Sequence, residues 1–353
     1  MYKENYNVVG VMSGTSLDGV DLAHVRLWNS SGKWQYELLE CETIAYSSEW
    51  KDTLSTAVAL SPGELPALDS KYTSLLGGII SSFIAKHDLT IDAVCSHGHT
   101  VLHQPQQGIT LQIGNLPQLS EIIQQKVVCN FRVQDVALGG QGAPLVPIGD
   151  RLLFSDYDFC LNLGGFSNIS FESAEKRLAF DISPVNTVLN FLAGKLGLDY
   201  DDRGALSGSG SLHDDLLVEL NALPFYRMPF PKSLGIEFVH ESVLPLIGSF
   251  TCSTEDKLRT FTEHIAMQTA LAMPALKGSM LITGGGAYND FLISRLKNYL
   301  PKAELHVPDK LLLEYKEALI FAFLGLLKLR GEINVLSSVT GASLDHSSGM
   351  IFS

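Results

Sequence analysis

The chain has 353 residues, 46% of them hydrophobic and 18% charged, with a net charge of −13. That length and composition suit one large domain or two lobes of ordinary size, and exclude a disordered chain. The acidity excludes a global basic footprint for nucleic acid, and no apolar run reaches the roughly 20 residues that a membrane helix needs. A local anion site stays open, because backbone amides can build one. The start, Met1-Tyr2-Lys3-Glu4-Asn5, lacks the shape of a signal peptide. The five cysteines (Cys41, Cys95, Cys129, Cys160 and Cys252) are odd in number and form no CxxC. Free thiols in a reducing compartment are expected, and with them a cytoplasmic protein free of membrane.

In chain order, residues 8–12 read as a buried strand, 13–19 as a turn and 20–28 as a second strand, which makes a hairpin. Tyr72, Leu75, Leu76, Ile79, Ile80, Phe83 and Ile84 follow helical spacing, and a strand is expected over 91–95. A second hairpin pattern runs through 157–163, Gly164-Gly165 and 166–171, with a third strand at 178–181. Residues 258–276 read as helix, 280–282 as strand, 289–300 as helix stopped by Pro301, and 313–329 as a long apolar helix. Alternating strands and helices with a hairpin opening each half predict an α/β chain with mixed sheets. Two lobes are expected, 1–135 and 136–353, with a soft boundary because no low-complexity linker separates them.

Three glycine-containing loops sit at strand ends. The first is Ser13-Gly14-Thr15-Ser16-Leu17-Asp18-Gly19-Val20-Asp21. Its glycines let backbone approach a phosphate, and its hydroxyls and amides supply donors. It is not a Walker A loop, since it lacks the Gly-Lys-Ser/Thr ending and leads into a strand. The second is Asn162-Leu163-Gly164-Gly165-Phe166-Ser167-Asn168, and the third is Thr283-Gly284-Gly285-Gly286-Ala287-Tyr288-Asn289. Each alone reads equally as a turn. Together they suggest one nucleotide in an interlobe cleft, its phosphates gripped by two hairpins and its adenosine beside the third loop.

The run from Met12 to Asp21 resembles the opening motif of the anhydro-N-acetylmuramic acid kinases. Further matches keep their order: Ser96-His97-Gly98 with Thr100, Val101 and His103; Asn130-Phe131-Arg132 with Asp135; the run 139–147; Asn162 to Asn168; Gly284 to Asn289; Glu317-Ala318; and Val339 to Ala342. The resemblance implies two ribonuclease-H-like lobes of the actin-like ATPase fold closing over ATP. It implies an ATP-dependent sugar kinase that cleaves a 1,6-anhydro bond with water and phosphorylates O6, giving N-acetylmuramate 6-phosphate and ADP in peptidoglycan recycling. A homodimer is the family habit. The sequence departs from the family pattern at His99, where Gln is usual, at Ser183 and Val185, which replace glycines around Asp181, and at Ile236, which replaces an arginine.

Roles carry over residue by residue. ATP is assigned to Gly14, Thr15, Ser16, Leu17, Asp18, Gly19, Val20 and Asp21, to Gly164, Gly165 and Asn168, and to Gly284, Gly285, Gly286 and Asn289. Asp181 is the base; the alternative is an acid at the N-terminus of the following helix. Glu317 holds sugar hydroxyls or orients water, or else is a solvated residue in the first turn of its helix. Arg132 suits the lactyl carboxylate, or pairs with Asp135. His97 is a substrate contact or a satisfied core histidine. Asp135 and Gln141 complete the sugar side. Mg²⁺ is expected with ATP, its waters oriented by Asp18 and Asp21 unless these only cap the turn, and no residue is assigned as a direct metal ligand. Two rivals stay open: a related kinase with another acceptor, and a nucleotide-driven binding protein of the same superfold.

Overall fold

The computed structural model describes residues 3–14 and 16–353, which gather into two compact units, Met1–Leu153 with Tyr315–Ser353, and Phe154–Glu314. The division differs from the expected split after residue 135. Residues 136–153 stay with the first unit because the helix Pro147–Leu153 packs there, with Asp150 ion-paired to Lys316 at 2.7 Å in a buried position. Residues 315–353 return to it through the far part of the helix Lys310–Leu329 and a last strand. All five cysteines are free thiols.

The strands are β1 (Asn5–Ser13), β2 (Gly19–Ser30), β3 (Lys33–Ala45), β4 (Ala93–Gln104), β5 (Ile109–Ile113), β6 (Val127–Cys129), β7 (Phe159–Leu163), β8 (Phe166–Ser173), β9 (Lys176–Pro184), β10 (Lys277–Thr283), β11 (Lys302–His306) and β12 (Met350–Phe352). The first unit carries the order β12-β6-β4-β1-β2-β3, with β5 beside β4. The second carries β11-β10-β7-β8-β9. In each, a three-strand antiparallel meander is followed by two strands parallel to its first: β4 and β6 with β1, and β10 and β11 with β7. This is the ribonuclease-H-like order, twice, as expected.

Burial explains the central strands. Val9, Val11, Val20 and Leu22 face a core completed by Tyr72, Leu76, Ile80 and Phe83 of the helix Leu65–Lys86. Val8, Val25 and Leu27 are also wholly buried, so β1 and β2 are covered on both faces and read as near-continuous apolar runs. The 310–329 helix comes close to β1: a Cβ on Gly10 would stand 1.9 Å from the Ala318 carbonyl oxygen. In the second unit Phe159, Leu161, Ile169, Phe180, Met280 and Ile282 form one apolar face. It packs on the helices Asn186–Gly194, Thr254–Ala272 and Asp290–Tyr299.

Candidate active site

In the first unit, the turn from Gly14 to Asp18 joins β1 to β2. Thr15, expected to donate to phosphate, lies outside the described residues. Leu17 takes a left-handed φ of 59° with its N–H on the Gly14 carbonyl (3.4 Å), a posture that L side chains seldom adopt. Asp18 accepts from the Ser16 hydroxyl at 2.7 Å and the Gly19 N–H at 3.1 Å, which is turn-capping. Gly19 answers to packing, since a Cβ there would meet the Ile44 carbonyl oxygen of β3 at 2.5 Å. Val20 is core and offers only its backbone, and Asp21 accepts from Thr43 Oγ1 at 2.6 Å. Beneath the loop, buried Ser13 bonds the Tyr46 hydroxyl at 2.7 Å and His99 Nδ1 at 2.9 Å. Burial lowers the His99 pKa to about 4, so the ring is neutral at physiological pH. The departure at 99 therefore keeps an uncharged hydrogen-bonding side chain.

The same unit assembles most of the expected sugar-side residues. Arg132 Nε donates to His97 Nε2 at 2.9 Å, and Nη1 donates to the Gly142 carbonyl at 2.7 Å. An arginine only donates, so His97 Nε2 is the acceptor and Nδ1 carries the proton, given to the Gly98 carbonyl at 2.8 Å. Burial, reinforced by Arg132, pushes the His97 pKa well below its usual range. His97 is thus a neutral, fully engaged ring, packed 4.6 Å from Phe321, and it orients Arg132. Burial lowers Arg132 to about 10, with Glu317 and Asp135 opposing, so the guanidinium stays charged at neutral pH. Among the described residues Nη2 is left as the arm without a protein partner.

Arg132 makes no ion pair with Asp135. The wholly buried Asp135 accepts from the Gly142 N–H at 2.6 Å and from Thr340 Oγ1 at 2.7 Å, with His346 Nε2 at 3.6 Å. It latches the 139–147 loop and has no face open to a ligand. A Cβ on Gly140 would stand 2.2 Å from Asp135 Oδ2, so this loop admits only glycine there. Gln141 is exposed, its N–H on the Thr340 carbonyl at 2.8 Å. Glu317 lies in the interior of its helix, not the first turn, with its side chain open to solvent. Protein packed around it pushes its pKa up and Asp21 adds to that, while Arg132 pulls it down.

In the second unit, the second and third loops meet each other. Gly284 has φ 85°, and a Cβ there would come within 2.8 Å of the Leu163 carbonyl oxygen. Gly286 packs on Leu163 and on Val185. The Gly164 and Gly165 carbonyls accept from the N–H groups of Asn186, Val185 and Thr187, tying the second loop to the start of the helix Asn186–Gly194. Gly285 lies beside Asn186. Asn289 caps the helix Asp290–Tyr299, its Oδ1 accepting from the Leu292 N–H at 2.8 Å.

Strand register sets four polar residues side by side: Thr283 opposite Asn162, Asn162 opposite Asn168, and Asn168 opposite Asp181. They share the sheet face turned away from the apolar core. Asp181 lies inside β9, which continues to Pro184, so it is not the N-terminal acid of a helix. Its backbone N–H donates to the Lys232 carbonyl at 2.9 Å, and its Oδ2 accepts from the Leu234 N–H at 2.8 Å. Burial raises its pKa and the Leu234 bond partly offsets this. Val185 has φ −128° and ψ −95° and buries its side chain. Ser183 is buried as well, its hydroxyl on the Pro184 carbonyl at 2.9 Å.

Asn162, Thr283 and Thr340 carry no assigned role in the sequence reading, although each lies in or beside a matching motif. The run Phe230 to Glu237, which resembles a family pattern with the departure at Ile236, carries no assigned role at 230–234 in the sequence, and its contact with Asp181 comes only from the structure. Among the described residues no three His, Cys, Asp or Glu side chains gather into a metal-holding group. Asp18 and Asp21, the acids expected to orient the waters of magnesium, accept here from Ser16 and Gly19 and from Thr43 respectively.

A family model described as anhydro-N-acetylmuramic acid kinase matches residues 6–353. The chain is 33% identical over 355 residues to the anhydro-N-acetylmuramic acid kinase of Pseudomonas syringae pv. syringae, covering 95% of each. It is 35% identical over 360 residues to that of Pseudomonas putida, covering 95% of this chain and 96% of the relative. Among solved structures, the activator of the 2-hydroxyisocaproyl-CoA dehydratase from Clostridium difficile with bound ADPNP aligns with TM-score 0.45 at 12% identity, covering 92% of this chain and 96% of that one. The full-length family match, carried by relatives at this identity and coverage, shows that the chain belongs to the anhydro-N-acetylmuramic acid kinase family.

Proposed function

We propose that the protein is an ATP-dependent sugar kinase that opens the 1,6-anhydro ring of 1,6-anhydro-N-acetylmuramic acid with water and phosphorylates the released O6. The observation that carries this reading is Asp181. Its Oδ2 is fixed by the Leu234 N–H, Oδ1 has no protein partner among the described residues, and burial raises its affinity for a proton. A carboxylate held this way is suited to take a proton from water.

Water attacks C1 as Asp181 takes its proton, and the C1–O6 bond breaks. O6 leaves with the electron pair and attacks the γ-phosphorus, and the bond from that phosphorus to the ADP oxygen breaks. The phosphoryl group takes the place a proton would occupy on a leaving oxygen, so one carboxylate suffices. The products are N-acetylmuramate 6-phosphate, ADP and a proton left on Asp181. Arg132, held by His97, meets the lactyl carboxylate through its remaining arm, and Glu317 holds a sugar hydroxyl. Backbone N–H groups of the glycine loops and the Ser16 hydroxyl position the phosphates, where catalysis is placement and charge stabilisation. Magnesium, when present, supplies charge neutralisation on those phosphates. The same reading places the protein as a cytoplasmic homodimer in cell-wall recycling.

The test is coupling. In H₂¹⁸O the label should enter the product at C1 and not in the phosphate. Asp181→Asn should lose about 10²–10⁴-fold in both ring opening and ADP formation, the usual worth of a general base. Ring opening that persists without ATP would overturn the proposal.

A further inference from the structure

β9 is the edge strand of its sheet, so Asp181 has β8 on one side and no strand on the other. The segment Phe230-Pro231-Lys232-Ser233-Leu234 fills that open side. It accepts the Asp181 N–H through the Lys232 carbonyl and gives the Leu234 N–H to the carboxylate. This strap is no strand, so sheet pairing does not explain why it stays in register.

Two side chains hold it. The exposed Phe230 ring stacks on Phe180 of β9 with centroids 4.0 Å apart and an 18° tilt. Lys232 turns inward and is only 8% exposed. Its ammonium donates to the Phe225 carbonyl at 3.0 Å and lies 4.3 Å from the Phe225 ring centre and 5.0 Å from that of Phe230. No carboxylate among the described residues pairs with it. Burying an ammonium on aromatic faces and one carbonyl is costly unless it secures something. What it secures is the residue two positions before Leu234.

We propose that Lys232 is a positioning residue for the base: its buried ammonium pins the strap so that the Leu234 N–H fixes one Asp181 oxygen and leaves the other for water. This rests on the reading of Asp181 as the base. Lys232 itself touches neither the carboxylate nor, on this proposal, the substrate.

Losing the Leu234 bond removes stabilisation of the ionised carboxylate, so the Asp181 pKa rises further. Lys232→Met keeps the aliphatic stem and deletes the cation. It should lower kcat about 10- to 100-fold, the scale of a misplaced catalytic group, with KM for ATP little changed. It should also move the acid limb of the kcat/KM profile for the anhydro sugar to higher pH. Lys232→Arg, which keeps the cation and its carbonyl bond, should restore most of the rate and return the limb. Leu234→Pro, which removes the N–H itself while keeping an apolar side chain, should move the limb in the same direction even if Lys232→Met folds poorly. Wild-type kcat and an unmoved limb in both Lys232→Met and Leu234→Pro would overturn the proposal. Asp181→Asn is run beside them. If it stays active, the base assignment fails; if it is inactive while the strap variants behave as wild type, only the positioning role fails.

Discussion

At the scale of single residues, His97 shows how a hydrogen-bond donor fixes a role. Arg132 cannot accept, so His97 Nε2 must, and the ring has neither a proton to give on that side nor a free lone pair to take one. His97 is therefore no acid or base, and its contribution passes through Arg132. His97→Leu keeps an apolar filling against Phe321 but removes the acceptor that aims the guanidinium. A hydrogen bond to a charged group contributes about 1.5–3 kcal/mol, so the variant should raise KM for the sugar about 10-fold or more and change kcat and KM for ATP far less. Steady-state kinetics with each substrate varied separates these outcomes. A loss confined to kcat would place His97 in the chemical step instead. Motif matching found His97 and Arg132, but the sequence could not tell an Arg132–Asp135 pair from an Arg132–His97 pair. Spacing puts Asp135 nearer in sequence, and only the fold brings β4 alongside.

At the scale of elements, the glycines did more structural work than a phosphate-loop reading assigns them. Gly19, Gly140, Gly284 and Gly286 each lie where a Cβ would strike a neighbour. Gly10, outside every loop, shows the same constraint between β1 and the 310–329 helix. Gly10→Val would force that helix away from the sheet just where Ala318 follows Glu317. Overpacking a core typically costs about 1–3 kcal/mol, so the melting temperature should fall, and Glu317 should move with the helix and lower activity. Thermal melting and kcat on the same preparation check both halves; a lowered melting point with full activity would separate Glu317 from the reaction. Legibility also divides by element. β1, β2, β7 and β8 were readable because apolar runs end at small turn residues. β3 was not: at the sheet edge it is rich in Glu and carries Lys, and it owes its conformation to β2. β6 and β12 are three residues each, too short to show a period. The strap at 230–234 was legible only as part of a drifted family motif; its place beside β9 was not, because tertiary contacts to Asp181 set it.

At the scale of the whole molecule, the chain order and the compact units do not coincide. The second unit is one continuous stretch with its own five-stranded sheet and core, whereas the first is completed only when the chain returns at Tyr315. Local pattern cannot show such a return, which is why a cut after residue 135 looked natural in the sequence. The consequence is an asymmetry between fragments. Residues 154–314 alone retain the sheet and the helices that cover its apolar face, so they should fold with a cooperative thermal transition and dispersed amide NMR signals. Residues 1–153 alone lose β12 from the edge beside β6 and lose the helix against which Gly10 and the other face of β1 are packed. That leaves Val8 and its neighbours facing water and Asp150 without Lys316, so this fragment should aggregate or melt without cooperativity. Adding a peptide of residues 315–353 should restore a cooperative transition to 1–153, because it returns both the missing strand and the missing face. If 1–153 folds alone as well as 154–314 does, the returning segment is not part of the first unit's core.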